Sequence, residues 1–92
     1  MDERRAYRVE GRVQGVGFRW WTQRKGAELG LRGDVRNLPD GSVEVQVAGT
    51  AEALVAFAEA LEQGPSLSRV DAVLPAELRG AIPDAGFLLE GR

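Results

Sequence analysis

Apolar and polar residues alternate near the start of the chain: Tyr7, Val9, Gly11 and Val13 take one parity, and Arg8, Glu10 and Arg12 the other. A period of two belongs to a half-buried strand, expected over residues 6–13. The alternation breaks at Gln14-Gly15-Val16-Gly17, a glycine-punctuated loop. A helix is expected over residues 19–29, where Phe18, Thr22, Gly26 and Leu29 share one side at spacings of four, four and three. Gly26 inside a helix costs roughly 1 kcal/mol against alanine; close packing on the sheet is one reason for it that the sequence alone does not establish. Gly30 suits the helix end. Alternation returns over residues 31–37 with Leu31, Gly33, Val35 and Asn37, and again in Val43, Val45 and Val47 against Glu44 and Gln46. Pro39-Asp40-Gly41-Ser42 between them is a turn by its chemistry, so the two strands form a hairpin.

Thr50 is an N-cap residue, and Leu54, Phe57, Ala58 and Leu61 at i, i+3, i+4 and i+7 mark a second, amphipathic helix. Gly64-Pro65 stops it. A fourth strand is expected over residues 69–74, an irregular loop over 75–86 and a short last strand over 87–89. The order is β-α-β-β-α-β with a short extra C-terminal strand. This predicts an α+β, ferredoxin-like sandwich, an antiparallel sheet with two helices on one face. The first helix crosses back, so strands one and two run the same way and end at the same edge of the sheet. The loop of Gln14 to Phe18 and Asn37 therefore meet at one end of the molecule, with Asn37 on the helix-covered side.

Composition narrows the chemistry. Ninety-two residues with 43% hydrophobic content predict one small domain over 1–92 with a single modest core. Without histidine or cysteine, the commonest general base, metal ligand and thiol nucleophile are all missing. No apolar run approaches membrane-spanning length, and Met1-Asp2-Glu3-Arg4-Arg5 does not open a signal peptide, so a soluble, cytoplasmic monomer is expected, with no membrane partner. The net charge of −2 is unevenly placed: from Arg4 to Arg36 nine basic residues against three acidic ones leave +6, and the rest carries −8. A basic N-terminal third reads as a solvated face or as the dock for an anion.

The loop supplies the second of these readings with a site. Gly15 and Gly17 let successive N–H groups turn inward, and a helix N-terminus beyond them favours negative charge. Arg19 stands at the rim, where its planar fork can grip two oxygens of a phosphate or carboxylate. A dinucleotide fingerprint would need glycine where Trp20 stands, and no G-K-[ST] follows for a nucleotide loop. Alone, the glycine pair reads as turn chemistry, Arg19 as a surface arginine and Asn37 as a turn residue. Trp20, Trp21 and Phe57 read first as packing residues, with the mouth of the site as the alternative for one tryptophan. Asp34, Asp40 and Glu44 have no metal-ligand spacing.

Val9 to Arg19, V-x-G-x-V-Q-G-V-G-F-R, resembles the first signature of the acylphosphatases. Gly33-Asp34-Val35-Arg36-Asn37-Leu38-Pro39-Asp40-Gly41-Ser42-Val43 followed by Gly49 resembles their second, departing at Asp34, where the family has an aromatic residue that bears on the wall of the site. The resemblance spans close to half the chain. It implies an enzyme that hydrolyses the carboxyl–phosphate bond of a small-molecule acyl phosphate. It also implies that the N–H groups of Gly15, Val16, Gly17, Phe18 and Arg19 hold the phosphate with the Arg19 side chain, that Asn37 orients the water, and that no cofactor or metal takes part. The missing acid–base groups fit that reaction, because the carboxylate leaving group departs unprotonated and catalysis is mostly positioning and charge stabilisation. Two other classes remain: a non-catalytic anion-binding regulatory module of the same fold, and RNA binding on the open sheet face. The latter lacks strand aromatics, since Arg8, Glu10, Arg12, Glu44 and Gln46 point outward, so no nucleic acid partner is expected.

Overall fold

A computed structural model of the chain describes residues 2–90. The elements run β1 (Glu3–Arg12), α1 (Phe18–Glu28), β2 (Arg32–Asn37), β3 (Val43–Gly49), α2 (Ala51–Gln63), β4 (Arg69–Pro75) and β5 (Phe87–Glu90). They form one five-stranded sheet of order β4-β1-β3-β2-β5 with both helices on one face, the expected ferredoxin-like arrangement. The first four strands are antiparallel neighbours, whereas β5 pairs with β2 in parallel, from Gly33↔Phe87 to Arg36↔Glu90, so the complete sheet is mixed. β1 begins earlier than its hydrophobic alternation: Glu3, Arg4 and Arg5 pair with Gly49, Ala48 and Val47. Backbone pairing needs no apolar side chain, so the charged start of the strand carries no periodic signal.

The alternating valines supply the core. Val9, Val35, Val43, Val45 and Val47 are fully buried beneath Phe18, Leu54, Phe57, Leu61 and Phe87. Thr50 caps α2 by accepting from the Ala53 N–H at 3.2 Å. α1 ends in a Schellman motif, with Leu31 N–H donating to Gly26 O (2.8 Å) and Gly30 N–H to Ala27 O (3.1 Å). Gly26 is the point of closest approach: a Cβ there would stand 2.5 Å from the Phe87 ring, so the glycine lets β5 slide under the helix.

The face away from the helices is not open. Residues 76–86, read from sequence as irregular, cross it from the β4 edge to the β2 edge. Arg79 fastens this strap. Its Nη2 donates to Asp34 Oδ1 at 2.6 Å, its Nε to Glu44, and its N–H to Gln46 Oε1 at 2.6 Å; Gln46 Nε2 also donates to Asp34 Oδ2 at 3.1 Å. Gln46 and Asp34, on the outward parity, are buried as a result. Burial penalises the charge of Arg79, but its bonds to Asp34 and Glu44 outweigh that and raise its pKa. Arg79→Ala strands a carboxylate that is 3% exposed. Breaking a buried pair costs about 3 kcal/mol or more, so the urea midpoint should fall at unchanged slope. A midpoint equal to wild type would show that Gln46 alone satisfies Asp34.

Candidate active site

Buried Val13 and Phe18 clamp the two ends of the loop between β1 and α1. Between them Gly15 (φ 74°) and Gly17 (φ 78°) take left-handed conformations that L side chains rarely adopt, and a Cβ at either would meet nothing within 4 Å. The need for glycine here is conformational, not a matter of space. Gly17 is the N-cap of α1 and has no side chain with which to cap it, and the first turn carries no acidic residue. First-turn N–H groups have no intrahelical acceptor. The helix therefore starts with Phe18 and Arg19 N–H groups and the positive end of its dipole facing the loop, a setting that favours an anion.

Arg19 is half-buried, and its Nη1 donates to Glu90 O at 2.8 Å. A guanidinium has five N–H donors in a fixed fork; this bond spends one and sets the orientation of the rest. The carbonyl belongs to β5, and its residue stands in register with Arg36 of β2. At the other end of the loop, Gln14 Nε2 donates to both Leu38 O and Ser42 O at 2.8 Å. These carbonyls close the β2–β3 turn, where Leu38 N–H donates to Ser42 O (2.8 Å) and Gly41 N–H to Leu38 O (3.1 Å). Asp40 braces the same turn: its Oδ1 accepts from the Ser42 hydroxyl and N–H, which holds the Asp40 carboxyl below its usual pKa.

Asn37 lies between these two fastenings. It is the last residue of β2, half-buried and paired with Val43, on the parity of Gly33 and Val35. Leu38 after it is held by Gln14, and Arg36 before it is the register partner of Glu90, which holds Arg19. Of the two residues singled out by sequence, Asn37 is thus held through its neighbours Leu38 and Arg36, and Arg19 through the strand residue that pairs with Arg36. Gln14 is the part sequence reasoning left without a role. Its signals were a long polar side chain among glycines and valines and its place as the fixed glutamine of the first signature.

Two expectations change. Asp34, at the position where an aromatic residue was expected to bear on the site wall, has the parity opposite to Asn37 and points to the strap, so it does not wall the site. Trp20 is not a packing residue: it is 57% exposed, with the Arg24 guanidinium 4.7 Å from its ring, whereas Phe57 is buried and Trp21 packs on Phe18. Among the described residues no group of Asp, Glu, His or Cys can hold a metal ion, and no helix is long and apolar enough to cross a membrane.

A family model described as acylphosphatase matches residues 5–88. An acylphosphatase of Nitratidesulfovibrio vulgaris is 54% identical over 85 residues, covering 88% of this chain and 84% of that protein. One from Thermus thermophilus is 58% identical over 65 residues, 71% of this chain and 74% of that protein. The crystal structure of the Bacillus subtilis acylphosphatase superposes with a TM-score of 0.88 at 35% identity, covering 99% of this chain and 100% of that one.

Proposed function

The chain belongs to the acylphosphatase family, an enzyme family of acyl phosphate hydrolysis, and we propose how its own residues carry that reaction. The phosphoryl oxygens lie on the N–H groups of Gly15 to Arg19 and on the free edge of the Arg19 fork. Asn37 holds a water in line with the phosphorus. A side-chain amide has a donor and an acceptor and does not titrate near neutral pH, so it can bond the water and a phosphoryl oxygen at once. Charge passes from the phosphoryl group to a carboxylate that needs no proton on leaving. The water's proton goes to the phosphate itself, since no histidine or cysteine exists in the chain to take it. The products are a carboxylate and inorganic phosphate. No metal or cofactor takes part.

The observation that carries this reading is the uncapped N-terminus of α1, with its two left-handed glycines and no acid in the first turn. The test is phosphate release from acetyl phosphate beside p-nitrophenyl phosphate as a monoester control, each with and without a chelator. Acetyl phosphate should be hydrolysed at the same rate with chelator present, and the monoester should be a poorer substrate because its p-nitrophenolate leaving group is a stronger base than a carboxylate and departs less readily. Activity that disappears on chelation and returns with Mg²⁺ would overturn the metal-free mechanism. Phosphate binding without turnover would instead support an anion-binding module.

A further inference from the structure

Beside the phosphate loop lies a groove of about 320 Å³ that the proposed phosphate and water sites leave unused. Val16 and Gly17 of the loop line it. Trp20, Trp21 and Arg24 of α1 make one wall, and Pro65 and Leu67, from the loop after α2, make the other. Trp20 is 57% and Leu67 75% exposed. Single exposed apolar residues are ordinary, but these two come from different elements and flank one cleft. Both walls rest on the same buried side chain. Phe18 packs on Trp21 with centroids 5.4 Å apart, and Gly64 sits so near Phe18 that a Cβ there would be 3.2 Å from its ring. The Arg24 guanidinium, 4.7 Å from the Trp20 ring, braces that ring against the helix.

Topology decides what the groove is for. β4 starts at Arg69, paired with Arg12 at the end of β1, so the loop carrying Leu67 flanks the phosphate loop on the β4 side. Asn37 ends β2, two strands from β1 on the opposite side. In phosphoryl transfer the attacking and leaving oxygens lie roughly in line through phosphorus. With water on the β2 side, the acyl oxygen must leave on the β4 side, towards the groove. We infer that this groove is the subsite for the acyl group, and that the substrate class is acyl phosphates with an aromatic or extended apolar acyl group. The inference rests on the proposed role of Asn37. The mostly apolar walls take the hydrocarbon, and Val16 joins the two subsites so that one molecule spans both.

The test compares acetyl phosphate with benzoyl phosphate on wild type, Trp20→Ala and Leu67→Ala, with melting temperature and inhibition by inorganic phosphate measured alongside. Wild type should show the lower KM for benzoyl phosphate. Each variant should raise that KM by about tenfold, the value of roughly 50 Å² of apolar surface returned to water. KM for acetyl phosphate and inhibition by phosphate should stay at wild-type values. Equal KM for both substrates in wild type, or variants that leave the benzoyl phosphate KM untouched, would overturn the groove as acyl subsite and leave the hydrolysis intact. So would a rise in KM shared equally by both substrates, which would mean that the side chains shape the loop. Wild type that hydrolyses neither substrate would overturn the proposed reaction, and the subsite with it.

Discussion

Arg19→Ala is expected to lower kcat/KM for acetyl phosphate by about 10²–10³-fold, the usual cost of removing a donor aimed at charge that develops in the transition state. Inhibition by inorganic phosphate should weaken in parallel, because the product presents the same oxygens. Arg19→Lys should recover little. An ammonium keeps the charge but is a point donor on a flexible stem. It has no fixed second edge, so it cannot hold the Glu90 carbonyl and a phosphoryl group in one plane as the fork does. The fold should survive either change, since the bond from Arg19 Nη1 to Glu90 O is one side-chain contact at the end of an edge strand, worth about 1 kcal/mol. Turnover near wild type in Arg19→Ala, with the protein folded, would remove the residue from the phosphate site.

The shape of the loop after β1 was legible in sequence because its determinants are local. Left-handed glycines two residues apart, a helix starting one residue later and an arginine in its first turn all lie within five positions. Helix α2 was legible for a similar reason: Leu54, Phe57 and Leu61 at helical spacing are all buried. What escaped were polar contacts between residues far apart in the chain. Arg79 reaches Asp34 across 45 positions, and Gln14 reaches Leu38 and Ser42 across 24 and 28. Neither pair leaves a period in the sequence. Asp34 and Gln46 alternate with buried valines as solvent-facing residues do, and only the strap, which has no pattern of its own, makes them interior. The anchor of Arg19 was invisible for a further reason, since its acceptor is a backbone carbonyl, a group that every residue carries.

The parallel β5 links the strap to the site. Arg32 Nη1 donates to Pro83 O at 2.8 Å, and Gly33 N–H to Gly86 O at 3.0 Å, so the strap is fixed to β2 just before β5 begins. Gln23 Nε2 then donates to Phe87 O at 2.7 Å and Arg19 to Glu90 O, which holds the strand to α1 from below. A segment with no regular structure thus leads into the strand whose Glu90 carbonyl orients the Arg19 side chain.

Asn37→Ala should separate positioning from binding. Losing the group that holds the water should reduce kcat on the order of 10²-fold, since small misplacements in reaction geometry cost that much. Inhibition by inorganic phosphate, carried by Arg19 and the loop, should change far less. The local frame has ties that do not run through the Asn37 side chain: Gln14 holds Leu38 and Ser42 by their carbonyls, and Arg36 and Val43 are fixed by backbone pairing. A collapse of the loop is therefore not the expected route to lost activity, and the melting temperature should move little beside kcat. Asn37→Asp is the stricter probe. It is nearly isosteric, but its negative charge faces an anionic substrate, so phosphate inhibition should weaken along with kcat. A purely structural asparagine predicts the reverse pattern, with a lower melting temperature and kcat per folded molecule unchanged. Turnover, phosphate inhibition and melting temperature measured on both variants decide between them, and a destabilised but fully active Asn37→Ala would sink the catalytic role.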